Sequence, residues 1–312
     1  MTQATAIRRR APAHPAPRRE RGLWSDAFHR LARNRLALVA LAILVVLAVV
    51  AVLGNFTDPV RRYDPASQDF AALQEAPSRA HFFGTDNLGR DNWARVLQGT
   101  LISLQVGVGA QAIVIIIGLL VGSAAALGGR WADNLLMRAT DLAYAFPDLL
   151  FIILLRAVFA ERDLPLVGDD VSQRLLVIFA IAFVGWATIA RLVRGQMLSL
   201  AQQEFVVAAR ALGASPARIV YQHMLPNALG TVVVAAVFGI PMAIFAEAVL
   251  GFIGLGLPPP TASLGRLVSD GYNFIQVNVW VAVFPTGVIA LLMLCFTFLG
   301  DGLRDALDPR TR

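Results

Sequence analysis

Apolar positions in this chain come in long runs with few charged interruptions, not in the stripes of a soluble helix or the alternation of a half-buried strand. The runs are Leu36–Leu53, Leu101–Leu127, Leu135–Phe159, Leu175–Ile189, Thr231–Leu250 and Val279–Leu299. Coiled as helices, such runs cross a hydrocarbon layer of about 30 Å, the longer ones with some tilt. The shortest, Leu175–Ile189, is followed by Arg191 and Arg194, whose stems reach back to the surface by snorkelling. Only helices or closed barrels satisfy their backbone groups in lipid, so the pattern predicts an all-α polytopic membrane protein with about six transmembrane helices.

The polar intervals set the organisation. Residues 1–35 form a basic tail, disordered over Met1–Arg21, and an amphipathic helix that carries Trp24, Phe28 and Leu31 among arginines. A first span follows at 36–54; it is too long, with too long a basic preface, for the core of a cleaved leader. Residues 55–99 are an outer loop of nearly balanced charge, 100–300 a five-helix domain with an inner loop at 191–230, and 301–312 an inner tail. The second outer loop, Glu161–Gln173, is acidic.

Composition strengthens the membrane reading. Hydrophobic residues make up 57% and charged residues 15% of 312, with a mean hydropathy of +0.63; soluble domains carry about 25% charged residues. The net charge is +6 and every basic residue is arginine. Nine arginines, Arg8 to Arg35, precede the first apolar run, which is where an inside-anchoring bias puts them, and this speaks against nucleic-acid binding. Arginine-rich loops fall on the same side as both termini, which predicts that the N- and C-termini are cytoplasmic. Cys295 is the lone cysteine and lies in an apolar run, so no internal disulfide is possible.

The inner loop Arg191–Gly230 is the most informative segment. Glu204–Leu212 is a run of good helix formers, and Gly213 supplies a left-handed C-terminal position. Ser215 then caps a second helix with Pro216 at its first position, and Pro226 closes that helix before the next span. Two short helices around a glycine turn form a shape that docks into a partner's groove. Ala208, Ala209 and Ala211 are small enough for close approach. The other reading from shape is an interfacial helix with no partner.

The spacing Val207-Ala208-Ala209, three residues, Gly213, nine residues, His223-Met224-Leu225-Pro226 resembles the EAA loop of bacterial ABC importer permeases. Its wider wording is similar to the dipeptide/oligopeptide/nickel branch, as are Phe83–Leu104, Gly251–Gly265 and Gly300–Arg310, and the chain resembles the second, C-type permease there. The resemblance implies a type I ABC importer permease fold in the bacterial or archaeal inner membrane. It implies a heterodimer with a second homologous permease, two ABC ATPase subunits and an extracytoplasmic solute-binding protein. Coupling to the ATPases is implied for Glu204, Val207, Ala208, Ala209, Arg210, Gly213, Ala214, Ser215, Arg218 and Pro226. Val207 stands where the family has glutamate, and Glu204, one turn earlier on the same face, is its substitute. No cofactor is expected in this chain, which has no phosphate-binding G-x-x-x-x-G-K-[ST] loop; ATP and Mg belong to the partner ATPases.

A self-sufficient secondary transporter or channel is the competing class. It needs ionisable residues in the spans, and Asp148, Arg156 and Glu247 are the candidates for a substrate path. Asp148 and Arg156 share a helix face two turns apart; Glu247 is expected near the outer end of its span, within reach of water. An intramembrane enzyme lacks support: His14, His29, His81 and His223 are dispersed and no H-E-x-x-H motif occurs. Gly118 and Gly122 predict close helix packing. Gly251–Pro260 is expected to be re-entrant or external, and Arg266 and Asp270 to form a local helical pair.

Overall fold

The structure is a computed structural model that describes residues 23–159 and 169–308. The Met1–Arg21 tail, most of the acidic loop at 160–168 and the last four residues lie outside the described residues. The elements are α1 (Leu23–Leu31), α2 (Arg35–Phe56), α3 (Asp58–Arg61), α4 (Asn92–Leu127), α5 (Gly129–Ala145), α6 (Asp148–Phe159) and α7 (Asp169–Leu200). Then follow α8 (Glu204–Ala211), α9 (Pro216–Arg218), a π-turn (Ile219–Met224), α10 (Leu225–Phe252), α11 (Leu264–Asn273) and α12 (Trp280–Leu307).

Among the described residues, five helical stretches are long and apolar enough to cross a membrane: α2, α4, α7, the continuous run Pro216–Phe252, and α12. The pair α5 and α6, bent by 86°, is together long and apolar enough for a sixth, broken span. The sequence reading of Leu135–Phe159 as one helix is therefore corrected. Pro147 has no N–H to offer and disfavours a helical Phe146 before it, so the chain breaks at Phe146–Pro147 inside an apolar run. The short fourth run is also corrected: α7 covers 32 residues, because its polar ends stay helical and find partners on α4 and α5. Arg174 donates to Gln105 Oε1 at 2.7 Å. Arg191 reaches Asp141 at 2.6 Å and lies 4.1 Å over the Tyr144 ring, and Arg194 pairs with Asp133 through two nitrogens.

Side-chain caps start several helices. Asn34 accepts the Ala37 N–H at 3.2 Å, Asp91 that of Ala94 at 2.8 Å, and Ser263 that of Arg266 at 3.3 Å. α2 is apolar all round: small residues (Ala37, Ala40, Ala51) face the bundle, while Leu36, Val39, Val46 and Leu53 stay exposed as a lipid-facing side requires. α1 lies against the end of α12, where Arg30 donates to the Asp308 carbonyl at 3.2 Å and leaves Trp24 and Phe28 exposed.

α4 is the central helix and packs most extensively on α7. The expected close approach is present: a Cβ on Gly118 would fall 2.5 Å from Ile189, and one on Gly122 would fall 2.4 Å from the Ala190 carbonyl. Three apolar cores run along the bundle. One joins α4, α7 and α10 around Val106, Val177 and Leu250. One joins α2, α11 and α12 around Leu44, Leu264 and Leu292. The third gathers Val193, Met197, Val206, Ile219 and Met224 beneath α8. At the other end, the 57–91 segment is fastened by Thr85, whose hydroxyl donates to the Ala72 carbonyl at 2.6 Å, and by Phe83 stacked on Phe284 at 3.8 Å.

Candidate functional site

The loop between α7 and α10 folds as two helical pieces around a turn. α8 ends in a Schellman motif: the Ala214 N–H bonds the Ala209 carbonyl and the Gly213 N–H bonds the Arg210 carbonyl, each at 3.0 Å. Gly213 sits at φ +80°, a conformation that costs a residue with a Cβ about 1–2 kcal/mol. The Ser215 hydroxyl accepts the Arg218 N–H at 3.3 Å, with Pro216 opening α9. The expected stop at Pro226 is corrected. The helix passes through it without ending, because Ile219–Met224 widen into a π-turn in which the Leu225 N–H bonds the Val220 carbonyl. Pro226 then falls at the start of α10, where a missing N–H is tolerated. The result is one helical rod, Pro216–Phe252, joining the loop to the membrane domain.

Within α8, Val206 alone is buried, wedged among Met197, Ile219, Met224 and Ala228. Its other faces point outward. Glu204, Val207, Ala208, Arg210, Gly213, Ser215 and Arg218 are exposed, Ala209 and Ala214 half-buried, and Pro226 exposed beyond the π-turn. The same surface exposes Phe205, Leu212 and Tyr221, the last two at 88% and 70%. The sequence reading missed these three residues; apolar side chains flanking a capped turn were the available signal. Beside the loop, the end of α4 and the start of α5 complete an apolar cleft of about 1180 Å³ with Arg210 in its wall.

The three ionisable span residues do not converge. Asp148 is exposed as the first residue of α6, directly after the break. Arg156 is 4% exposed and donates to the Leu255 carbonyl at 3.1 Å, the Gly256 carbonyl at 2.8 Å and Gln173 Oε1 at 2.7 Å. It ties α6 to the turn after α10. Replacing Arg156 with methionine strips two carbonyls of their donor, each loss worth about 1–3 kcal/mol; the expected result is a melting temperature lower by several degrees, with faster amide exchange at residues 253–257. The expectation that water reaches Glu247 is corrected. Glu247 is fully buried between α10, α4 and α11 and accepts the Ser103 hydroxyl at 2.7 Å, because the bundle closes over the end of α10.

The opposite end holds a charge network. Asp86 takes Arg90 Nε at 2.8 Å and also pairs with Arg95; Asp270 takes Arg95 at 3.1 Å and Arg266 at 3.2 Å. The predicted Arg266–Asp270 pair is thus one edge of a five-residue cluster. Among the described residues no group of His, Cys, Asp or Glu is placed to hold a metal ion.

Comparison with known proteins gives this arrangement its context. Residues 114–312 match the family described as "Binding-protein-dependent transport system inner membrane component", and residues 22–77 match "N-terminal TM domain of oligopeptide transport permease C". The oligopeptide transport system permease protein OppC of Escherichia coli is 41% identical over 294 residues, covering 94% of this chain and 93% of that one. OppC of Bacillus subtilis is 39% identical over 290 residues (93% and 90%), and the dipeptide transport system permease protein DppC of the same organism is 40% identical over 288 (92% and 86%). An inward-facing MetNI methionine ABC transporter structure shares the fold, with a TM-score of 0.55 at 20% identity over 69% of this chain and 96% of that one. The chain belongs to the family of binding-protein-dependent transport system inner membrane components, the permease subunits of ATP-binding-cassette importers.

Proposed function

We propose that this permease forms half of a transmembrane path for the uptake of peptides, paired with a second homologous permease. Two ATPase subunits dock on α8 and α9 and bind the ATP and Mg, an extracytoplasmic binding protein delivers the peptide, and this chain itself carries out no hydrolysis. Both of its termini are cytoplasmic. The observation that carries the reading is the outward face of the α8–α9 turn: Phe205, Val207 and Leu212 interleaved with Glu204 and Arg210, all exposed on a loop whose anchor is buried. Peptide uptake is supported by the oligopeptide and dipeptide permeases to which the chain is similar.

The rod Pro216–Phe252 provides the lever. A displacement of α9 by the ATPases is carried along this continuous helical stretch, through the π-turn, into α10, so that the two permeases rock as rigid bodies between two states. The test is gentle-detergent purification of the tagged chain from its native membrane, with identification of what accompanies it. A second permease and an ATPase are expected, and both ATPase copies are expected to be lost when Glu204–Gly213 becomes a flexible linker. Recovery of the chain alone or as a homo-oligomer, with no ATPase, would overturn the reading.

A further inference from the structure

At the end of the bundle away from the coupling loop, the 57–91 segment, the start of α4 and the turn before α11 enclose a cavity of about 530 Å³. Arg90, Arg95 and Arg266 line it, with Asp270 as the carboxylate in the wall. Asp86 lies behind, shared by Arg90 and Arg95, so three guanidinium groups meet two carboxylates. Asp170, which accepts the Thr261 hydroxyl at 3.2 Å on the rim, is exposed. Arg95 is 2% exposed, and its Nε has no hydrogen-bond partner among the described residues. Arg266, 34% exposed, opens the cavity to the outside. Asn87 and Phe274 add an amide and an aromatic face to the wall.

We propose that this cavity is a transient subsite for the C-terminal end of a peptide, with the carboxylate on Arg266 and Arg95 and the last side chain against Phe274. The assignment rests on the peptide-uptake reading above. Three guanidinium groups against the two carboxylates they touch leave one positive charge, which suits a carboxylate. Arg95 has both terminal nitrogens on Asp86 and Asp270 and Nε left, and Arg266 has Nε on Asp270 and its terminal nitrogens to offer. A volume within the range of small-molecule sites, about 300–1,000 Å³, exceeds what one acidic side chain of a docking protein fills. The mixed wall, charged at one side and aromatic at the other, matches a peptide terminus with its side chain.

The experiment uses the purified permease–ATPase assembly in nanodiscs, without binding protein, and a fluorescent tripeptide in free-acid and C-terminal amide forms. By anisotropy, the acid is expected to bind at least about tenfold more tightly than the amide, the scale of one lost charged hydrogen bond. Arg266→Gln is expected to erase that difference. Asn87→Asp, which supplies an internal carboxylate to the same arginines, is expected to do likewise. Melting curves matching the wild type establish that each variant is folded. Equal binding of acid and amide, no binding of the acid, or discrimination intact in both variants overturns the subsite. If the variants weaken capture of the binding protein and leave peptide discrimination intact, the cavity is a docking contact and the assignment falls. Failure of the importer reading shows separately, as absence of ATPase from the wild-type preparation before any peptide is added.

Discussion

Replacing Asp86 with alanine is expected to destabilise the permease by about 3–5 kcal/mol, the cost of removing one partner from a buried ion pair. Asp86 is 1% exposed and serves four donors: the Arg90 and Arg95 side chains and the backbone N–H groups of Leu88 and Arg90, the last two at 2.9 Å. Alanine leaves the Arg95 guanidinium, 2% exposed, with Asp270 alone, and frees the loop that holds the start of α4. Thermal unfolding of the purified protein and its steady-state level in the membrane both report this. Asp86→Asn keeps two backbone acceptor bonds and is expected to fall between. The double change Asp86→Ala with Arg95→Leu is expected to recover much of the loss, since removing both charges leaves neither unpaired. A single alanine variant with an unchanged melting temperature would show that the network carries no stability.

The largest functional effect is expected from Val206→Asp. Val206 is fully buried and is the contact that seats α8 on the membrane domain. A carboxylate held at that position without a partner costs several kcal/mol, more than an eight-residue helix with one buried side chain gains by docking. α8 therefore detaches and leaves the carboxylate in water. Uptake by the assembled transporter is expected to fall to background, while the melting temperature and membrane level of the chain change little because the three apolar cores keep their other members. Val206→Ala, which only trims volume, is expected to reduce uptake partially. Normal uptake with Val206→Asp would mean that α8 need not be seated for coupling.

Sequence and structure agree where the chemistry is local. Long apolar runs state membrane spans because lipid admits few alternatives, and the α8–α9 turn is legible because Gly213, Ser215 and Pro216 each have one local use. The misses share a cause: the deciding partner lies far along the chain. Arg191 and Arg194 read as the end of a span, yet Asp141 and Asp133 on α5 keep them helical. Glu247 read as wet because Ser103, 144 positions earlier, is not visible from its own helix. Arg266 and Asp270 showed their i,i+4 spacing, but not that Arg95, 175 residues before Asp270, completes the cluster. Pro147 was overlooked differently: Leu135–Phe159 read as one span although the stretch before it, with Arg138 and Asp141, is amphipathic and only the stretch after Asp148 is strongly apolar. The exposed Phe205 and Leu212 were signalled only by their place beside a capped turn, and which apolar side chain of so short a helix is buried, Val206, is decided by residues outside it.

The break at Pro147 bears on how the chain is made. α6 has 12 residues, about 18 Å of helix, too little to cross about 30 Å of hydrocarbon unaided. It also carries Arg156, which in lipid is costly without an acceptor. The acceptors are Gln173 and the carbonyls of Leu255 and Gly256, the latter two about a hundred residues downstream. During synthesis from the N-terminus, α6 leaves the ribosome long before these groups exist. Its settling in the bilayer is therefore a late step of biogenesis, timed by the translation of α10, so a chain truncated before Leu255 has a third crossing that never comes to rest.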